Sequence, residues 1–281
     1  MQKNFLKWFV IFCCLYLSGC MTNTTYISPQ ERADQAAQLA KTADWKEYTI
    51  HTNPFILKAY GPAKIKTSVL TIYIEGDGLA WISDDMPSDN PTPINPTGLK
   101  IAVHHQKNYP GVYLARPCQL VNNQEWVGCR QAYWTNLRFS PEVINAMNQA
   151  VSYLKKYYHA KKIILIGYSG GGTIAALIAA KRSDVKELIT IAAVLNVKEW
   201  VKEKDLTPLD GSLNPADFSK ELAVIPQTHW VGGKDTIVPK DIAFSYANHF
   251  PKNKKPKIII VPNFDHACCW AMGCARPILT N

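Results

Sequence analysis

A chain of 281 residues with 47% hydrophobic and 19% charged side chains has an ordinary globular composition, enough for one large α/β domain or two small ones. Internal repeats and low-complexity stretches are absent from it. The formal charge of +9 is scattered over pairs such as Lys155-Lys156 and Lys161-Lys162 rather than gathered in one arginine-rich stripe; this speaks against a nucleic-acid partner and for a solvated surface near anionic lipid.

In chain order, Lys3 and Lys7 form a positive region ahead of the apolar stretch 8–17, which is too short to span a bilayer. The pattern predicts a signal peptide over residues 1–19. It ends in Leu17-Ser18-Gly19-Cys20, which resembles the lipobox of bacterial lipoproteins. That resemblance implies cleavage before Cys20, lipidation of Cys20, and, because Met21 rather than aspartate follows, an address at the outer membrane of a bacterial cell envelope. Residues 20–44 then read as the lipidated cysteine and a tether, with a short Ala- and Gln-rich helix over 31–43. The folded domain is expected over 45–281.

Two strand-like runs, 48–51 and 55–60, flank an Asn53-Pro54 turn. Continuous β-branched runs follow at 69–74, 112–115, 162–166, 187–193 and 257–261, as in strands buried on both faces. Helical patterns lie between them. The clearest covers 141–160: Ser140 is placed to cap it, Pro141 suits the first helical position, and Val143, Met147, Val151, Leu154 and Tyr158 share a face. The alternation predicts an α/β fold, a mostly parallel central sheet flanked by helices. Such sheets bind ligands at the carboxyl ends of their strands, so the loops after Ile74, Ile166 and Val261 hold the candidates.

The loop after 162–166 reads Gly167-Tyr168-Ser169-Gly170-Gly171 and leads into a small-residue helix over 172–180. A G-x-S-x-G sequence acts only at a sharp strand-to-helix turn, where it lifts the serine oxygen into a cleft. Strand, serine and helix fall in that order here. Gly232-Gly233-Lys234-Asp235 follows a strand over 227–231, and Asp265-His266 follows the next strand. On these residues the chain resembles the α/β-hydrolase superfamily over about 69–270. The resemblance implies Ser169 as nucleophile, His266 as base and Asp235 as the acid that orients it. Asp241 and Asp265 are less well placed acids, and His249 lies inside a helical stretch. No metal or cofactor is required.

By family position the Gly170 amide is one oxyanion donor. The second belongs to the loop after Ile74, which reads Glu75-Gly76-Asp77-Gly78 where the family commonly has His-Gly. The Asp77 amide is the expected donor and the Gly76 amide the alternative. The acids there either turn anionic substrates away or sit solvated on a glycine turn. A segment at about 195–226 falls where the superfamily carries its cap, and its Trp200, Leu206, Leu209 and Leu213 either cover a cleft or dock on the body. For Trp81, Trp126, Trp134 and Trp270 packing is favoured over a role in an acyl pocket. His229 reads as a satisfied core histidine, and His104 and His105 receive no role.

Five cysteines remain beyond the signal: Cys118, Cys129, Cys268, Cys269 and Cys274. An exported protein meets an oxidising compartment, which predicts a Cys118–Cys129 disulfide, a bridge from Cys274 to Cys268 or Cys269, and one thiol left over. Oxidation also disfavours a zinc site built from His266 and the three C-terminal cysteines. The expected activity is hydrolysis of a small-molecule or lipid-like carboxylic ester through an acyl-enzyme. A peptidase or amidase using the same three residues is the alternative, and a non-catalytic envelope binding lipoprotein is the third reading.

Overall fold

The computed structural model describes residues 27–65, 67–105 and 110–271. The signal peptide, Cys20 and Cys274 lie outside the described residues. Eight strands form one sheet: β1 (Lys46–His51), β2 (Ile56–Gly61), β3 (Val69–Ile74), β4 (Gly111–Leu114), β5 (Lys162–Tyr168), β6 (Val185–Ile191), β7 (Gln227–Gly232) and β8 (Lys257–Val261). Their spatial order is β1-β2-β4-β3-β5-β6-β7-β8. The two strand-like runs near the start pair as a hairpin, and β2 meets β4 antiparallel. From β4 to β8 every pairing is parallel.

Central strands read as unbroken apolar runs because both of their faces are covered. On β5, Ile163 and Leu165 enter one buried cluster while Ile164 and Ile166 enter the other. The first cluster packs under α3 (Pro141–Tyr157), α4 (Gly170–Ala179), α5 (Val197–Glu203), α6 (Ser219–Leu222) and α7 (Lys240–Ala247). The second lies under α1 (Pro29–Lys41) and α2 (Thr97–His105) and is sealed by Phe264 and Trp270.

Capping explains where the helices start. Ser28 and Glu31 form a reciprocal capping box on α1, and the Ser140 hydroxyl accepts from the Val143 amide on α3 with Pro141 at the first position. The helix expected over 141–160 ends at Tyr157, and the chain turns at His159 with φ 54°. The strand expected over 187–193 runs from Val185 to Ile191, and Ala192 turns out of it with φ 50°. Segment 195–226 contains α5, a 3-10 turn at Pro215–Phe218, and α6.

Cys118 is buried and bonded to Cys129, their Cα atoms 5.7 Å apart. At the other end Cys268 is bonded to its neighbour Cys269. The bridge expected from Cys274 to Cys268 or Cys269 falls on a cysteine outside the described residues.

Candidate active site

The sheet delivers three loops to one place. Ser169 stands between β5 and α4 with φ 50° and ψ −126°, a strained conformation for a residue with a side chain. Its amide donates to the Ile191 carbonyl at 2.8 Å, and its own carbonyl accepts from Gly172 at 2.9 Å. At Gly171 an added Cβ would overlap the carbonyl oxygens of Ile74 and Glu75, so only glycine lets α4 start this close to the end of β3.

His266 Nε2 lies 3.0 Å from Ser169 Oγ, and its Nδ1 lies 2.8 Å from Asp235 Oδ2. Asp235 is buried, and its other oxygen accepts the Ile237 and Val238 amides at 2.9 and 2.8 Å. An ionised carboxylate only accepts, so the proton between Asp235 and His266 sits on Nδ1, leaving Nε2 free to accept from the serine hydroxyl. The His266 carbonyl takes hydrogen bonds from the Tyr168 hydroxyl at 2.8 Å and from Trp270 Nε1 at 3.1 Å. Asp265 is exposed and accepts the Ala267 and Cys268 amides, which hold its carboxyl below the usual range. It shapes the turn that presents His266 without pairing with the ring. Asp241 is exposed in the first turn of α7.

The loop after β3 differs from both readings made for its acids. Glu75 is 2% exposed, and its carboxylate accepts the Gly76 and Gly98 amides at 2.9 Å and the Leu99 amide at 3.2 Å, so it caps α2. Burial pushes its carboxyl upward against the three amides. The Gly76 amide is therefore engaged and cannot also face a reacting oxygen. Asp77 is half-buried at the edge of the cleft rather than freely solvated. Arg116 and Arg138 each bind one of its oxygens, Arg138 Nη1 at 2.9 Å, and the carboxylate is the charged partner that the two buried guanidiniums need.

A cleft of about 900 Å³ opens above Ser169 and His266. Trp81, Ile82, Ile94, Leu206 and Leu209 supply apolar walls, and Thr135, Asn136 and Arg138 a polar side. Trp200 also borders it and donates to the Ile237 carbonyl at 2.8 Å, tying α5 to the loop of Asp235. Leu213 instead packs against the core, its amide donating to the Phe139 carbonyl. Trp126 and Trp134 pack on each other, centroids 5.8 Å apart, and Trp270 is fully buried. His229 is buried with Nδ1 2.8 Å from Thr190 Oγ1, while its Nε2 has no partner among the described residues; the core histidine is only half satisfied. His104 and His105 stack edge to face at the end of α2. Sequence reasoning missed Arg116, Arg138 and the Tyr168 hydroxyl. For the arginines the sequence shows only their places, Arg116 just beyond β4 and Arg138 just before the cap of α3, which does not reveal their shared partner.

The family described as serine hydrolase (FSH1) matches residues 105–266, more than half of the chain. No curated protein matches the sequence. Solved structures share the fold at low identity. An esterase from Pyrococcus furiosus is 15% identical with a TM-score of 0.54, the match covering 79% of this chain and 82% of that one. An α/β serine hydrolase homologue from Coxiella burnetii is 15% identical with a TM-score of 0.55, covering 79% and 89%. Est1E from Butyrivibrio proteoclasticus, solved with ferulic acid bound, is 16% identical with a TM-score of 0.54, covering 78% and 91%. The mostly parallel sheet flanked by helices is thus an α/β-hydrolase fold.

Proposed function

We propose that this chain, which belongs to the FSH1 serine hydrolase family, cleaves a carboxylic ester through an acyl-enzyme formed on Ser169. The observation that carries the reading is the unbroken chain from Ser169 Oγ through His266 to Asp235, at 3.0 and 2.8 Å, on the floor of the cleft. A serine hydroxyl is a poor nucleophile until a base takes its proton. His266 Nε2 accepts that proton as Oγ attacks the ester carbon, and Asp235 stabilises the imidazolium that results. The carbonyl oxygen becomes an oxyanion, received by the amides of Gly170 and Asp77. The imidazolium then protonates the leaving alcohol, and water, activated in the same way, releases the acid.

The apolar walls favour a small-molecule or lipid-like acyl group over a charged one. The lipobox-like Leu17-Ser18-Gly19-Cys20, followed by Met21, supports an address on a bacterial outer membrane through a lipid on Cys20. Fluorophosphonate labelling of the purified soluble domain tests the nucleophile: one adduct is expected, on Ser169. No labelling, or labelling that persists in Ser169→Ala, defeats the proposal. Nitrophenyl esters of rising acyl length, run beside the matching anilides, separate ester from amide hydrolysis. Membrane fractionation of a Cys20→Ala variant, expected to lose its anchor, tests the address.

A further inference from the structure

Asp77 is the proposed second oxyanion donor by its place in the loop after β3, and its side chain pairs with two buried arginines. One guanidinium holds each carboxylate oxygen, Arg116 on Oδ1 and Arg138 on Oδ2. The two arginines are also fastened to the scaffold. Arg116 Nη2 donates to the Arg138 carbonyl at 3.0 Å, its guanidinium lies 5.5 Å from the centroid of Phe139, and Arg138 Nε donates to the Thr135 carbonyl at 2.6 Å. Gln119 Nε2 donates to the Gly76 carbonyl at 2.9 Å, fixing the peptide that carries the Asp77 N–H. Arg116 is 3% exposed and Arg138 6%. Burial by itself would raise the Asp77 carboxyl, yet the two guanidiniums hold it below its usual range.

The cluster also touches the other amide. A Cβ on Gly170 would overlap Asp77 Oδ1 and come within 2.6 Å of Arg116 Nη1, so the ion pair packs directly on the Gly170 Cα. One group of side chains thus bears on both amides, covalently through Asp77 and by contact at Gly170. Two guanidiniums face one carboxylate in it. The other nearby acid, Glu75, is turned to three amides, two of them at the start of α2.

We propose that Asp77, Arg116 and Arg138 form a latch that fixes the spacing of the Asp77 and Gly170 amides and gives the oxyanion position a positive field. Asp77 and Arg116 are positioning residues in this scheme, and Arg138, which borders the cleft, supplies the field. Fixed donors aimed at developing charge are a large part of catalysis because they need no reorganisation during reaction. The inference rests on Ser169 being the nucleophile.

The test uses the soluble domain and a trifluoromethyl ketone labelled with ¹³C at its carbonyl. Ser169 Oγ adds to that carbon, the serine proton passes to His266 Nε2, and the C=O π pair becomes an oxyanion whose pKa is read from the ¹³C shift. The charged and titratable groups around this cleft are Glu75, Asp77, Asp84, Arg138, Tyr168 and His266, with Arg116 paired to Asp77 and Asp235 to His266 behind them. Arg138→Met is expected to raise the oxyanion pKa by about one unit or more and to lower kcat on an ester by about tenfold or more, with KM within about threefold. Arg138→Lys, which keeps the charge but not the planar fork, is expected to hold the oxyanion pKa near wild type. Asp77→Asn is expected to lower kcat by about tenfold or more with little change in KM, because the loop is no longer tied at both oxygens.

An unshifted oxyanion pKa in Arg138→Met, or wild-type kcat in Asp77→Asn, overturns the latch. If Arg138→Met does not fold, the other two variants still decide, since a raised oxyanion pKa in Arg138→Lys also counts against it. Failure of the underlying reading looks different: the wild-type protein itself would form no ketone adduct and take no fluorophosphonate label on Ser169.

Discussion

At Ser169 the backbone is held at a positive φ that costs free energy wherever a side chain is present, and a contact network stabilises it. Such a residue is replaceable sterically but not chemically. Ser169→Ala should fold with wild-type stability and lower kcat/KM on an ester by on the order of 10⁴-fold or more. Asp235→Asn should do comparable damage, on the order of 10⁴, because an amide there no longer selects the His266 tautomer with the proton on Nδ1. Initial rates on a nitrophenyl ester check both, with melting curves to exclude unfolding. Ser169, His266 and Asp235 were legible in the sequence because each lies in a loop that a strand announces, and strands leave a visible apolar run. Arg116 and Arg138 were not. Their partner Asp77 lies 39 and 61 residues away, and nothing local to either arginine reports a pairing at that separation. The part of the site that acts through long-range charge therefore became visible only with the fold.

Among the elements, β3, β5 and β6 declared themselves by burial on both faces, while their ends were set by turns that apolar patterning does not encode, such as Ala192 after β6. The link between α4 and β6 shows what holds such an end in place. Asp184 lies there, bound by Arg182 Nη2 at 2.7 Å and by Lys155 Nζ of α3 at 2.6 Å. Burial pushes its carboxyl up, but the hydrogen bonds and charges of these two partners outweigh that and bring it down to about 2. A carboxyl lower in the folded state than in the unfolded one stabilises the fold above the unfolded value near pH 4. That stability is lost as pH falls through about 2. Its size is roughly 1–2 kcal/mol once solvent screening is allowed for. Asp184→Asn should therefore melt about 2–6 °C below wild type at pH 6, with the gap closing as the buffer approaches pH 2. A gap of constant size across that range would show that the ion pairs carry none of the effect.

Over the whole molecule, the order β1-β2-β4-β3-β5-β6-β7-β8 brings segments far apart in sequence into one sheet, so a perturbation deep inside it is felt globally. Topology of this kind was legible only as a class, since which parallel strands are neighbours depends on crossovers rather than on local pattern. The Cys118–Cys129 bond closes a loop of sequence separation 11 and buries Cys118 in the core. Peptide mapping without reductant should recover the linked pair, and reduction should lower the melting temperature by several degrees, consistent with roughly 2–3 kcal/mol.

His229 is the sharper global probe. It is fully buried where β6 and β7 pair, its ring edge-on to Tyr246 at 5.3 Å, and burial drops its pKa to about 3. Between that value and the unfolded value near 6.5 the unfolded chain binds a proton that the native sheet refuses, so stability rises with pH across the window and falls as acid is added. The slope owed to one such group is about 1.4 kcal/mol per pH unit. Asn in place of His229 can still meet the Thr190 hydroxyl but does not titrate. Urea unfolding of His229→Asn should show a pH dependence between 6 and 4 shallower than wild type by about that amount. Parallel slopes in the two proteins would mean that the native sheet admits the proton, and that His229 is not held neutral by burial.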